Sequence, residues 1–209
     1  LLVGGLILTG ATFAQKPDAS VPSTLEGQLG WNASTLSFNA PSIRYRYFLQ
    51  DNIAVRVTLG IHNSSTTDNY FENEQDNSGA SGTYETKNNG LNAAIGAEYH
   101  FSGTDRLSPY AGIDIMFGSG KVTADGTNSD GNNYVASYSE ASEAKTGMFG
   151  VNLVAGTDYY FAENFYLGLE LGLAWASTTS KQDTYSVTVG GTTTSGKSDG
   201  LSKTSTLST

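Results

Sequence analysis

Eight charged residues occupy positions where polar chemistry could be concentrated: Glu26, Arg44, Arg46, Arg56, Glu98, Asp114, Asp158 and Glu170. Each falls at an alternate position of an otherwise apolar stretch, on the face opposite the large apolar side chains. Guanidinium and carboxylate groups taken out of bulk water must pair, because an unpaired buried charge is very costly. Three chemistries fit such a set. It can be a plug of salt bridges, a narrow ion path that opens by re-pairing, or a source of carboxylates for acid–base work. The plug is the expectation, with at most a narrow, gated conductance and no catalytic residues.

Other candidates are thinner. His62 stands near Ser64, Ser65 and Asp68 and could imitate a Ser/His/Asp set, but these neighbours are close in a Ser-rich run. Asp125 to Asn133 offers oxygen ligands without the bidentate Glu and spacing of an EF-hand. Asp68, Glu72, Glu74, Asp76 and Glu85 face Lys87 alone, which reads as a solvated acidic loop. There is no Cys and there are only 2 His, so thiolate chemistry, disulfides and His-rich metal sites are excluded. The formal charge of −9, from 11 Lys and Arg against 20 Asp and Glu, excludes a phosphate-neutralising nucleic-acid surface. No metal and no cofactor are expected.

The elements that carry the charges alternate with period two. Leu25–Trp31, Ile43–Leu49, Ile53–His62, Leu91–Phe101, Tyr110–Gly118, Phe149–Phe161 and Phe165–Trp175 each oppose an apolar row to a row of Gly, polar and charged residues. No window shows a helical stripe of comparable strength, so an all-β fold follows. Stretches near ten residues suit a tilted transmembrane strand. A polar face rich in Gly and charge beside an apolar face rich in aromatics suits a wall with lipid outside and a polar lumen. Tyr45, Tyr47, Tyr99, Phe101, Tyr159, Phe161 and Phe165 mark one interface; Trp31, Phe117, Phe149 and Trp175 mark the other. The links at 50–52, 102–108 and 162–164 are short, whereas 62–87, 119–145 and 177–203 are long and polar. Such asymmetry fits periplasmic turns and extracellular loops.

The predicted fold is an eight-stranded, up-and-down antiparallel transmembrane β-barrel. Seven strands are visible, and the eighth is expected to begin in 202–209 and to be truncated. Residues 1–14 read as part of a secretory signal peptide cleaved before Gln15. Residues 15–23 are then a lead-in, and 24–209 form the barrel. Thr184–Val189 followed by Gly190 and Gly191 predicts a tight hairpin. It should lie in a ribbon carried by the last two strands above the membrane.

Pro41–Arg56, with its Arg44-Tyr45-Arg46-Tyr47-Phe48 run and Gln50-Asp51-Asn52 turn, resembles the first hairpin of the small outer membrane protein beta-barrel domain (porin-family) proteins of Bacteroidota. Gly96–Gly112, with Glu98-Tyr99-His100-Phe101 and Ser108-Pro109-Tyr110, resembles their second hairpin. The resemblance implies an outer-membrane barrel, exported across the inner membrane, and no shared catalytic motif. The implied partners are outer-membrane lipid and the barrel-assembly machinery, with a further outer-membrane protein partner left open. In an eight-strand barrel Arg44 and Arg46 should face Asp158, and Arg56 should face Glu170. Two rival functions remain: a barrel subunit docking in a larger secretion, uptake or assembly complex, and a lipid-modifying enzyme.

Overall fold

The computed structural model describes residues 2–7, 22–32, 35–162, 165–198 and 201–208, with the backbone alone for 2–7 and 29–41. The described residues hold one antiparallel sheet of 11 strands and no helix. The strands are β1 (Leu2–Ile7), β2 (Ser23–Asn32), β3 (Thr35–Gln50), β4 (Ile53–Asn73), β5 (Ser78–His100) and β6 (Leu107–Ser129). They continue with β7 (Tyr134–Ala162), β8 (Phe165–Ser180), β9 (Thr184–Val189), β10 (Thr192–Lys197) and β11 (Ser202–Ser208).

Neighbours in sequence pair from β1 through β8. Strand β8 pairs with β7 along one side. On its other side, its first half meets β1 (Leu2 opposite Leu171, Leu6 opposite Leu167) and its second half meets β11 (Ser202 opposite Ser180, Ser208 opposite Ala174). Strand β1 also pairs with β2. The predicted start of a further strand in 202–209 is therefore present as β11. Residues Leu2–Ile7, expected to belong to an export signal, are extended and paired between β2 and β8.

The long polar segments differ from the expectation of loops. Strands β4 and β5 stay paired from Ile53 and Tyr99 out to Asn73 and Ser78. Strands β6 and β7 stay paired from Leu107 and Tyr159 out to Ser129 and Tyr134. At 21 to 29 residues, β4 to β7 are about twice the length that a membrane requires. Ser, Thr, Asn and Gly dominate the outer halves, and they suffice because the ladders between neighbouring strands satisfy the backbone without an apolar face.

The 184–197 hairpin forms, with Gly190 and Gly191 at φ of +55° and +84°, the turn conformation that favours glycine. Its place differs from the prediction. Strand β9 lies against β7 at Tyr138–Glu143, so β9 and β10 extend the outer sheet of β4, β5, β6 and β7 at its β7 edge rather than prolonging the last two spanning strands.

The two faces of the wall are inverted relative to a water-soluble protein. Large apolar side chains are exposed: Ile43, Leu59, Ile95, Ile113, Leu153 and Leu171 are about half accessible or more. The buried set is dominated by charge, with Arg46 and Arg56 at 1% and Asp158 at 0%.

Candidate functional site

The strands bring all eight sequence-nominated charges together on the inner face. Glu26 comes from β2, Arg44 and Arg46 from β3, Arg56 from β4 and Glu98 from β5. Asp114 comes from β6, Asp158 from β7 and Glu170 from β8. The every-second-residue rule puts each of them on the same side as the inner glycines. Where Gly156 stands, a side chain would run into the Tyr110 ring; where Gly168 stands, it would meet Asp158 Oδ1 at 2.9 Å. These glycines leave the volume that the long charged side chains fill.

Arg56 is the hub. Its Nε donates to Asp114 Oδ1 at 2.6 Å while Nη2 donates to Asp114 Oδ2, a two-point fork. Its Nη1 is shared between Glu98 Oε1 and Glu170 Oε2, each at 2.7 Å. Arg44 forks onto Glu170 through Nη1 and Nη2, both at 2.9 Å, and touches Glu26 at 3.5 Å. Arg46 donates to Asp158 Oδ2 at 2.5 Å. Its Nε lies 2.7 Å from Glu26 Oε1 and 3.2 Å from Glu98 Oε1, charge contacts whose N–H is not aimed at either oxygen.

The Arg46–Asp158 and Arg56–Glu170 pairs match the predicted facing. Arg44 does not: it meets Glu170 and Glu26, and no contact joins it to Asp158 among the described residues. Strands in a barrel are tilted, so each successive strand is lowered or raised relative to its neighbours, and strand number alone does not set which inward residues are level. Arg44 thus stands level with Glu170, while Arg46, one inward position nearer the short turns, reaches Asp158. The three arginines come from β3 and β4, and carboxylates from five other strands surround them.

A layer of aromatic groups on the turn side was missed from the sequence. Tyr110 Oη donates to Glu170 Oε2 at 2.9 Å and accepts from Arg46 Nη2 at 3.2 Å. Tyr166 Oη donates to Glu26 Oε1 at 2.7 Å. The Arg46 guanidinium lies 4.8 Å from the Tyr110 ring centre, within cation–π range. His100 sits between Glu98 Oε2 (3.1 Å) and Ser108 Oγ (3.0 Å), and stacks against Phe48 and Tyr110. Tyr160 packs on Tyr166 at 4.9 Å. Parity was the available signal: Phe48, His100, Tyr110, Tyr160 and Tyr166 share the inner rows of the charges. They lie where the apolar stretches begin or end, and the sequence reading takes only the charged members of those inner rows as site residues.

The interface aromatics are outward. Tyr45, Tyr47, Tyr99, Phe101, Tyr159 and Phe161 are exposed near the short turns, and Phe117, Phe149 and Trp175 at the other end of the wall. Phe165 is half-buried against Phe161. The Trp31 side chain lies outside the described residues. His62 is exposed on the outer part of β4, and among the described residues no hydrogen bond joins it to Ser64, Ser65 or Asp68. Asp130 Oδ1 caps its own turn, accepting from the N–H groups of Asn132 (2.9 Å) and Asn133 (2.8 Å). Among the described residues no group of acidic and His side chains is arranged to hold a metal.

Residues 28–183 match the family described as "Putative OmpA-OmpF-like porin family". The chain belongs to that family. A search of curated proteins and a search of solved structures each found no match. Membership of the OmpA-OmpF-like porin family makes the chain an outer-membrane, porin-like β-barrel protein. It accounts for the inverted faces: the apolar outer rows meet lipid, and the buried charges line the inside. The matched residues span β3 to β8 entire and so contain seven of the eight network charges, all but Glu26.

Proposed function

We propose that this protein is a non-catalytic wall protein of the outer membrane, an eight-position barrel closed to solutes at rest by its own charge network. The observation that supports this best is the set of ion pairs reaching across the inner face from β3 and β4 to β6, β7 and β8. Side chains that span the interior in this way leave no aqueous bore, in keeping with the narrow interior of an eight-strand barrel. In this reading β11 and the pairing site that β1 occupies between β2 and β8 together make the eighth position. Any conductance is narrow and requires the arginines to exchange partners. Export through a segment at residues 1–14 belongs to the same proposal; N-terminal sequencing of membrane-extracted protein should begin at Gln15.

The test is insertion with a lipid-facing readout. With Trp31→Phe, Trp175 becomes the sole tryptophan. It should be quenched by brominated lipid chains, and unheated protein should migrate differently from boiled protein in SDS. Quenching by aqueous iodide instead, with no heat-dependent migration, would rule out the membrane reading.

A further inference from the structure

Among the described residues every lysine lies on the ribbon side of the wall: Lys87, Lys121, Lys145, Lys181, Lys197 and Lys203. Three of them stand in one row. Lys121 and Lys145 are direct partners across β6 and β7, and the backbone N–H of Lys181 donates to the carbonyl of Lys145 at 2.8 Å. The row lies on the outward face. Lys121 follows Phe117, and Lys145 precedes Phe149, with only Ser119 and Gly147 between them on that face. Phe117 and Phe149 themselves pack edge to face at 5.7 Å. The Lys121 and Lys145 backbones therefore lie roughly 13 Å along the tilted strands beyond the aromatic pair, close enough for long, flexible side chains to reach back toward lipid headgroups.

Like charges directly opposite each other weaken a sheet. Glu143 relieves part of this: it bridges Lys121 and Lys145, 2.5 Å from Lys145 Nζ. Among the described residues Glu143 is the one carboxylate in salt-bridge contact with the row; Asp125 and Asp183 stand farther out along the strands, and the three ammoniums remain exposed. Space is left between the aromatics and the lysines, since a side chain at Gly147 would meet nothing within 4 Å. In a chain with a net charge of −9, a local cationic row on the lipid-facing side is a selective feature rather than a general one.

We propose that Lys121, Lys145 and Lys181 bind the anionic phosphorylated headgroup of a lipid in the ribbon-side leaflet. The Ser119–Gly147 gap receives the headgroup, and the Phe117–Phe149 pair packs on the start of its chains. Glu143 holds two of the ammoniums apart and in place. The proposal rests on the membrane reading above.

Electron spin resonance of spin-labelled lipids in phosphatidylcholine vesicles containing the full chain tests it. Labelled phosphatidylglycerol should be held at the protein surface in preference to labelled phosphatidylcholine. Replacing the lysines by Gln should lower that preference by roughly fivefold per lysine, and K121Q/K145Q/K181Q should abolish it. Lys197→Gln, on the outer sheet, should leave it unchanged. Excess inorganic phosphate at constant ionic strength should not displace the labelled lipid. Equal retention of the two lipids, an unaltered preference in the triple variant, or full displacement by phosphate would each overturn the proposal while leaving the membrane reading intact. A protein that immobilises no labelled lipid at all would overturn both.

Discussion

Arg56 shows how much of the interior hangs on single side chains. It contacts Glu98, Asp114 and Glu170 at once, and these carboxylates differ in what they retain when it is removed. Glu170 keeps Arg44 and Tyr110, and Glu98 keeps Arg46 and His100. Among the described residues Asp114 keeps only the Asn152 amide at 3.4 Å. Arg56→Ala should therefore destabilise the protein by about 3–5 kcal/mol, the range for stranding a buried charge. Adding Asp114→Asn should recover part of that loss, because the stranded group then carries no charge. Adding Glu170→Gln should recover less, since Glu170 was never stranded. Guanidinium unfolding in vesicles measures all three. Equal recovery by the two second-site changes would show that the carboxylates are interchangeable around Arg56, contrary to the two-point Asp114 contact.

At the scale of elements, the outer ribbons carry the most specific expectations. Gly190 and Gly191 hold φ of +55° and +84°. Alanine there costs roughly 1–2 kcal/mol per residue for the left-handed backbone, which should open the β9–β10 hairpin. Amide exchange should then accelerate across 184–197 while the spanning strands stay protected; fast exchange of this hairpin in the unaltered protein would refute the paired ribbon. The Lys121–Glu143–Lys145 bridge adds a pH dependence. Hydrogen bonds from the two ammoniums hold the Glu143 carboxyl down, at about 2, below its ordinary value of 4.5. A lowered folded-state value means that the bridge stabilises the ribbon fully above pH 4.5 and loses this effect as pH falls toward 2. Exchange protection around Lys121 and Lys145 should decline over that window at low salt and much less at high salt, because the groups are exposed. Glu143→Gln should flatten the response.

These same elements show what the sequence could disclose. Parity alone placed Glu26, Arg46, Asp158 and the other network members on one face, because a strand alternates strictly and burial punishes a charge on the lipid side. Pairings such as Arg44–Glu170 depend on strand tilt, which no single stretch records. The ribbons were unreadable for another reason. Residues 62–87 and 119–145 have loop composition, and their order comes from backbone ladders whose side chains need bury nothing. Tyr110 and Tyr166 share the inner parity of Asp114 and Glu170, but an inner tyrosine declares no partner by its charge; only the folded wall shows the carboxylates that its hydroxyl reaches.

For the whole molecule the decisive property is whether the interior passes ions. Five carboxylates meet three guanidiniums inside the wall, joined by Tyr110 and Tyr166 hydroxyls, and Arg46 and Asp158 close the turn side of the set. Opening a path requires a guanidinium to leave one carboxylate before it reaches the next, so the unaltered protein should show only rare, small current steps in planar bilayers. Arg46→Ala removes the contact to Asp158 and the cation between the Tyr110 and Tyr166 rings, leaving a volume that water can enter. The backbone ladder of the wall stays intact, since it depends on no inner side chain. The variant should insert, keep its heat-dependent migration and conduct steadily. With carboxylates in excess along the opened interior, that current should favour cations. Large steady currents through the unaltered protein would disprove the plug. An inserted Arg46→Ala variant no leakier than its parent would show that the closure lies elsewhere along the wall, and an anion-selective leak would show that the carboxylates do not line the path.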